Sequence, residues 1–186
     1  MIDTEKIEAL LELLARPDEP PRPAGASDAE IAALEDYLGT PLPADLRDWL
    51  RFSNGAFIGT VPAFGAHSLD APLSIQRVLN RFPIWRDRRW IPVASDGCGN
   101  FYVIPTQGEY GDGFPVLFVE AVIDHSVPQY IVASDFGHFL IGMMVDELNP
   151  LDDEFTEAVW PFVEETVVRD DPEILKFHGV PLPWNT

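Results

Sequence analysis

The sequence of 186 residues has one cysteine, Cys98, so the chain can form no internal disulfide and no site built from several thiolates. Its longest apolar run, Phe139 to Val145, is far shorter than the ~20 residues a membrane-spanning helix needs. The first 20 residues are acidic and amphipathic and lack the basic start, apolar middle and small-residue cleavage site of a secretory signal, so a cytoplasmic location is expected. Basic residues are scarce: 12 Lys and Arg face 31 Asp and Glu, for a formal net charge of −19. A field of that sign repels bare nucleic acid and anionic membranes, and neither is expected as a partner. With 46% apolar and 11% aromatic residues the chain can still fill a sizeable core, which excludes disorder of the whole.

The shortage of basic charge is uneven. Residues 90–168 contain no Lys or Arg and 14 acidic residues, whereas residues 1–89 carry 10 basic and 14 acidic ones. Exposed surfaces commonly alternate both signs, so 79 residues of uncompensated acidity either keep the protein soluble or form a face that seeks cations.

Helical spacing of Ile7, Leu10, Leu11 and Leu14 predicts a helix over Ile2 to Ala15. The proline-rich stretch Arg16 to Ala26 follows as an extended connection. Ser27 with Glu30 makes a capping box for a second helix that Gly39 ends. A third runs from Ala44 to Phe52 and stops at Asn54-Gly55, both residues that tolerate positive φ. Ala56 to Leu69 reads as one short strand and a loop, and Leu73 to Phe82 as a short helix. Trp90–Ala94 and Phe101–Pro105, separated by turn formers, predict a hairpin, and Phe114–Val119 and Tyr130–Ala133 predict two more strands. Ser134 or Asp135 caps a helix whose face is Phe136, Phe139, Leu140, Met143 and Met144. Leu151 to Val168 has helical character, and Asp170 to Thr186 reads as a Pro/Trp tail. Helices, then strands, then helices predict an α+β fold: N-terminal helices on a mainly antiparallel sheet, with closing C-terminal helices. The implied units are 1–26, 27–148 and a C-terminal extension, 149–186.

Searches for catalytic chemistry find little. There is no Gly-x-Ser-x-Gly elbow, and Cys98 sits in a glycine turn with nothing locally basic to activate it. His67, His125, His138 and His178 lack any two-histidine metal spacing. Gly97-Cys-Gly99 and Gly111-Asp-Gly113 do not complete a phosphate cradle, and Asp146, Asn149, Asp152, Asp153 and Glu154 miss the spacing of a calcium loop. No cofactor or metal is expected. Arg81, Arg86, Arg88 and Arg89 interleave with aromatics like a single-strand-binding surface; in so acidic a chain they are expected to pair with its own carboxylates.

Three segments together resemble a known family: Ser27-Asp-Ala-Glu-Ile-Ala-Ala-Leu-Glu-Asp-Tyr-Leu-Gly39, then Leu42-Pro43 through Trp49 to Asn54-Gly55, and Trp90-Ile-Pro92-Val-Ala-Ser-Asp96-Gly97-Cys-Gly99-Asn100. With Ala133 to Leu140 as a closing helix, order and spacing are similar to the SUKH superfamily over roughly Ser27 to Leu148, that is, to Smi/Knr-type immunity proteins and cell-wall regulators. The residues carrying the resemblance are fold residues, and the superfamily has no shared catalytic set. The resemblance therefore implies a binding module rather than an enzyme.

That module is expected to be an immunity protein that neutralises a cognate bacterial toxin domain, a basic nuclease-like one, through an acidic face. The candidate partner-binding residues are Glu109, Asp112, Glu120, Asp124, Asp146, Glu147, Asp152, Asp153 and Glu154. The alternative is a cytosolic scaffold of the Smi/Knr type that docks through its Pro-rich stretch and its tail.

Overall fold

The computed structural model describes residues 2–15, 22–148 and 164–185. Short local signals set the helix ends. Asp3 caps α1 (Thr4–Leu14) by accepting the Lys6 N–H at 3.1 Å. Ser27 and Glu30 close a capping box on α2 (Asp28–Leu38), and Gly39 ends that helix with φ 66°. Leu42 and Pro43 are both buried in the link to α3 (Ala44–Phe52). Glu35 fixes this link by accepting the Leu42 N–H at 2.8 Å and pairing with Arg47.

At the end of α3 the structure corrects one expectation. Gly55 adopts φ 76°, but Asn54 does not have positive φ; its buried side chain works by hydrogen bonding instead. Asn54 Oδ1 accepts the Ala66 N–H at 2.6 Å and so pins the loop after the first hairpin. That hairpin is a second correction: β1 (Ala56–Ile58) and β2 (Val61–Ala63) pair across Gly59, φ 58°, where one strand and a loop were expected. Strands of three residues among Gly and Pro leave too short a period to read.

The chain continues through α4 (Ile75–Arg81), capped by Ser74, and α5 (Pro83–Asp87), a turn of helix inside the arginine-rich segment that the sequence pattern did not reveal. Next come β3 (Trp90–Ser95), β4 (Phe101–Pro105), β5 (Val116–Val119), the short α6 (Ala121–Asp124), β6 (Tyr130–Ala133) and α7 (Phe136–Leu148). Then follow α8 (Glu164–Asp170) and 3-10 turns at Pro172–Lys176 and Pro183–Asn185. Of the predicted helical stretch Leu151 to Val168, residues 151–163 lie outside the described residues. The six strands form one antiparallel meander in sequence order, so the fold is α+β.

Pro92 stands in the middle of β3, where a missing N–H would ordinarily break a ladder. Here β2 reaches only as far as Ala63 opposite Ala94, and the β3–β4 register shifts between Pro92 and Ala94. In the β3–β4 turn, Asp96 Oδ1 accepts the Cys98 and Asn100 N–H groups at 2.7 and 3.0 Å, and Gly97 and Gly99 take φ 75° and 105°. Trp90 is fully buried at the start of the strand, and Trp49 is equally buried on α3.

Every residue of β3 to β6 is buried, so the sheet is covered on both sides. Alternation along β4 shows by what: Phe101 packs edge-on against Phe82 and Trp85 of the α4–α5 segment, and its neighbour Tyr102 against Phe139 of α7. On the α7 side Tyr102, Phe118 and Tyr130 form a cross-strand row of rings. The outer edge of β6 is met by the C-terminal segment, whose Pro181 carbonyl accepts the Ile131 N–H at 3.0 Å.

The two halves are joined by Asp45. From α3 its Oδ2 accepts the Phe136 and Gly137 N–H groups, at 2.7 and 3.2 Å, at the start of α7, while Oδ1 accepts the Leu46 N–H at 2.9 Å. Burial, then the nearby Asp135 charge, push the Asp45 carboxyl above its ordinary range. Replacing it by alanine leaves one buried and one half-buried helix amide without acceptors. Asp45→Ala is expected to lose about 2–4 kcal/mol in urea unfolding, and Asp45→Asn clearly less. An unchanged midpoint for Asp45→Ala would refute this role.

Candidate functional site

Three aspartates converge where β6 passes into α7. Asp135 caps α7 itself: its Oδ1 accepts the His138 N–H at 2.9 Å and its Oδ2 lies 3.0 Å from His138 Nδ1. Asp45 takes the two amides before that one. Asp171, just beyond α8, accepts the Ser134 N–H on Oδ2 at 2.7 Å. Its other oxygen, Oδ1, is buried with no hydrogen-bond partner among the described residues and lies 3.9 Å from His138 Nδ1. The residue is 4% exposed overall.

These groups sit in the wall of a groove of about 920 Å³ between α1, α7, the β4–β5 loop and the α8 segment. Its lining contains eight carboxylates and two lysines, over an apolar floor that includes Phe114, Ile141 and Val167. One of those lysines, Lys176, is paired with Glu173. Among the described residues no three His, Cys, Asp or Glu side chains are placed to hold a metal ion.

The sequence-predicted acidic residues are distributed over several places. Asp112 and Asp146 share the groove, and burial, then Glu147, push the Asp146 carboxyl up. Glu147 is turned to the β1–β2 hairpin, where it accepts the Thr60 N–H at 2.9 Å and the Thr60 hydroxyl at 2.6 Å. Glu109 accepts the buried Trp90 indole N–H at 3.0 Å. Glu120 precedes α6, and Asp124 at its end accepts the Ser126 N–H and hydroxyl, which hold its carboxyl below the usual range. Asp152, Asp153 and Glu154 lie outside the described residues. Sequence reading missed Asp45, His138 and Asp171 as site residues. The Asp135-x-x-His138 spacing at a helix start was the one available signal, since Asp45 and Asp171 come from distant segments.

The arginine-rich segment departs from expectation. Among the described residues none of Arg81, Arg86, Arg88 and Arg89 is in ion-pair contact with a carboxylate. Arg81 lies over Phe82, Arg86 over Tyr37 and Arg88 over Trp90, with guanidinium-to-ring distances of 5.1, 5.1 and 5.0 Å. Arg88 also donates to the Ser126 carbonyl at 2.6 Å. The aromatic faces that take these guanidinium groups come from the segment itself and from α2.

The Asp135–His138 contact has a pH signature. The Asp135 hydrogen bond, then the charges of Asp135 and Asp171, raise the His138 pKa against the opposing effects of burial and Lys6; Asp135 is lowered, its bonds to His138 outweighing burial. The histidine contribution is complete below its unfolded pKa and is lost as pH rises through the folded one; the Asp135 contribution is present above its unfolded pKa and is lost in acid. In urea unfolding, His138→Gln is expected to destabilise more at about pH 5.5 than at about pH 8.5. Equal losses at the two pH values would show that the imidazolium contributes nothing.

Comparison with known proteins bears on the whole arrangement. No curated protein matches the chain. Among the described residues no helix is long and apolar enough to cross a membrane. The pattern of the SMI1/KNR4 family (SUKH-1) matches residues 25–142, more than half of the chain, from the approach to α2 into α7. The chain belongs to the SMI1/KNR4 family, SUKH-1.

Proposed function

We propose that the chain is an immunity protein, one that binds a cognate bacterial toxin domain of nuclease-like, basic character and blocks it. The observation that carries this reading is membership of SUKH-1, a family of immunity and regulatory domains, in a chain whose groove is walled by carboxylates. A nuclease lines its substrate groove with Lys and Arg, and an acidic surface imitates the phosphates and speeds encounter by steering. Of the acidic residues, Asp112 and Asp146 are the best placed for contact, because they stand together in the groove. Glu109 and Glu147 are held by intramolecular bonds. The scaffold reading has less support. The tail it would dock with is engaged, Ile174 being fully buried and Pro181 bonded to β6.

Co-expression with the toxin-like product encoded beside it is expected to give protection and an isolable complex. Association should slow as salt rises from ~0.05 to 0.5 M, and Asp112→Lys with Asp146→Lys should cut the association rate roughly tenfold at low salt. Absence of both protection and a complex would sink the proposal.

A further inference from the structure

The groove offers more than a negative field, because one of its carboxylate oxygens is both buried and unbonded. Among the described residues Asp171 Oδ1 has no hydrogen-bond partner, although the carboxylate carries lone pairs that burial ordinarily obliges to be satisfied. The nearest group able to carry positive charge is His138, whose Nδ1 is 3.9 Å from Asp171 Oδ1 and 3.0 Å from Asp135 Oδ2. Both oxygens thus lie around one point, and a cation placed there touches both. His138 occupies that position from the groove side: its side chain is 40% exposed, and its Nδ1 is 3.0 Å from Asp135 Oδ2 and 3.5 Å from Ser134 Oγ but beyond hydrogen-bond distance of Asp171 Oδ1. Turning the ring outward opens a two-carboxylate niche at the head of the groove. Beneath it runs an apolar floor of Phe114, Ile141 and Val167.

We propose that this niche is an arginine-binding site, in which a guanidinium from a protein partner replaces the His138 ring between Asp135 and Asp171 and its methylene stem lies along the apolar floor. A guanidinium presents several N–H donors in a fixed plane, so one group bonds to two carboxylates at once, and it is less strongly hydrated than an ammonium. The exchange is favourable because a half-exposed ring that leaves Asp171 Oδ1 unsatisfied is replaced by a permanent charge that also bonds to this oxygen. The alkyl stem contributes by covering floor residues that polar contacts alone would leave wet. This inference rests on the reading of the groove as the partner face and names what that face recognises.

The test uses the full chain and a short peptide with one arginine flanked by leucines, beside its citrulline counterpart, titrated calorimetrically at low salt. Citrulline keeps the shape and removes the charge. The arginine peptide is expected to bind at least about tenfold more tightly than the citrulline peptide. Asp171→Asn, which keeps an oxygen for the Ser134 amide, should weaken the arginine peptide about tenfold and leave the citrulline peptide unchanged. His138→Ala should bind the arginine peptide at least as tightly as the native chain, and this variant keeps the proposal testable if Asp171→Asn fails to fold. Equal binding of the two peptides, no binding at all, or loss of binding in His138→Ala would overturn it. No toxin enters this titration, so its failure leaves the protection experiment standing. Failure of protection with arginine binding intact would instead overturn the immunity reading alone.

Discussion

The structure depends on how the buried start of α7 is satisfied. The first amides of a helix have no partner within the helix, and at the start of α7 the burial of Phe136 keeps water from the first of them. Asp45 supplies acceptors for the first two and Asp135 for the third, so α3 is tied to α7 across 91 residues of sequence. Carboxylates suit this place because the helix end carries partial positive charge. The cost is that several negative groups gather in a small, poorly solvated volume, which is why Asp45 is pushed up while Asp135, bonded to His138, is held down. The features of the candidate site, from the orphan oxygen of Asp171 to the half-exposed imidazole, follow from crowding acids around one helix end.

The sheet makes that crowding possible by fixing the two sides of the molecule. Because β3 to β6 are buried on both faces, α4 and α5 cover one face and α7 the other, and the row Tyr102, Phe118, Tyr130 with Phe139 upon it holds α7 in register. The head of α7 therefore comes to rest beside α3 and α1 rather than over open sheet. The C-terminal segment completes the arrangement, with Pro181 against β6 and Asp171 on the Ser134 amide.

Much of this was legible in the sequence wherever a signal is local. The capping box at Ser27, the glycine at 39, the bounds of α3, the β3–β4 hairpin and the apolar face of α7 each depend on neighbours within a few positions. What was not legible is of two kinds. Elements of three to five residues, β1, β2, α5 and α6, carry too few residues to show a period. The site is assembled from Asp45, Asp135 and Asp171, which lie on three separate segments, and nothing in any one of them marks the others. Arginines 81, 86 and 88 teach the same lesson from the other direction. Net charge predicted ion pairs, but the guanidinium groups lie over ring faces instead.

That placement changes what a net charge of −19 means. The arginines lie on the α4–α5 side and the carboxylate groove on the α7 side, separated by the sheet and the helices that cover it. Two packed layers at about 10 Å each exceed the ~8 Å screening length of physiological salt, so the two surfaces act independently on anything that approaches. The molecule presents its arginine-rich segment on one side and a groove lined by eight carboxylates and two lysines on the other. Under the proposed function, a basic partner would be oriented as well as attracted, drawn to the groove and turned away from the face that carries the arginines.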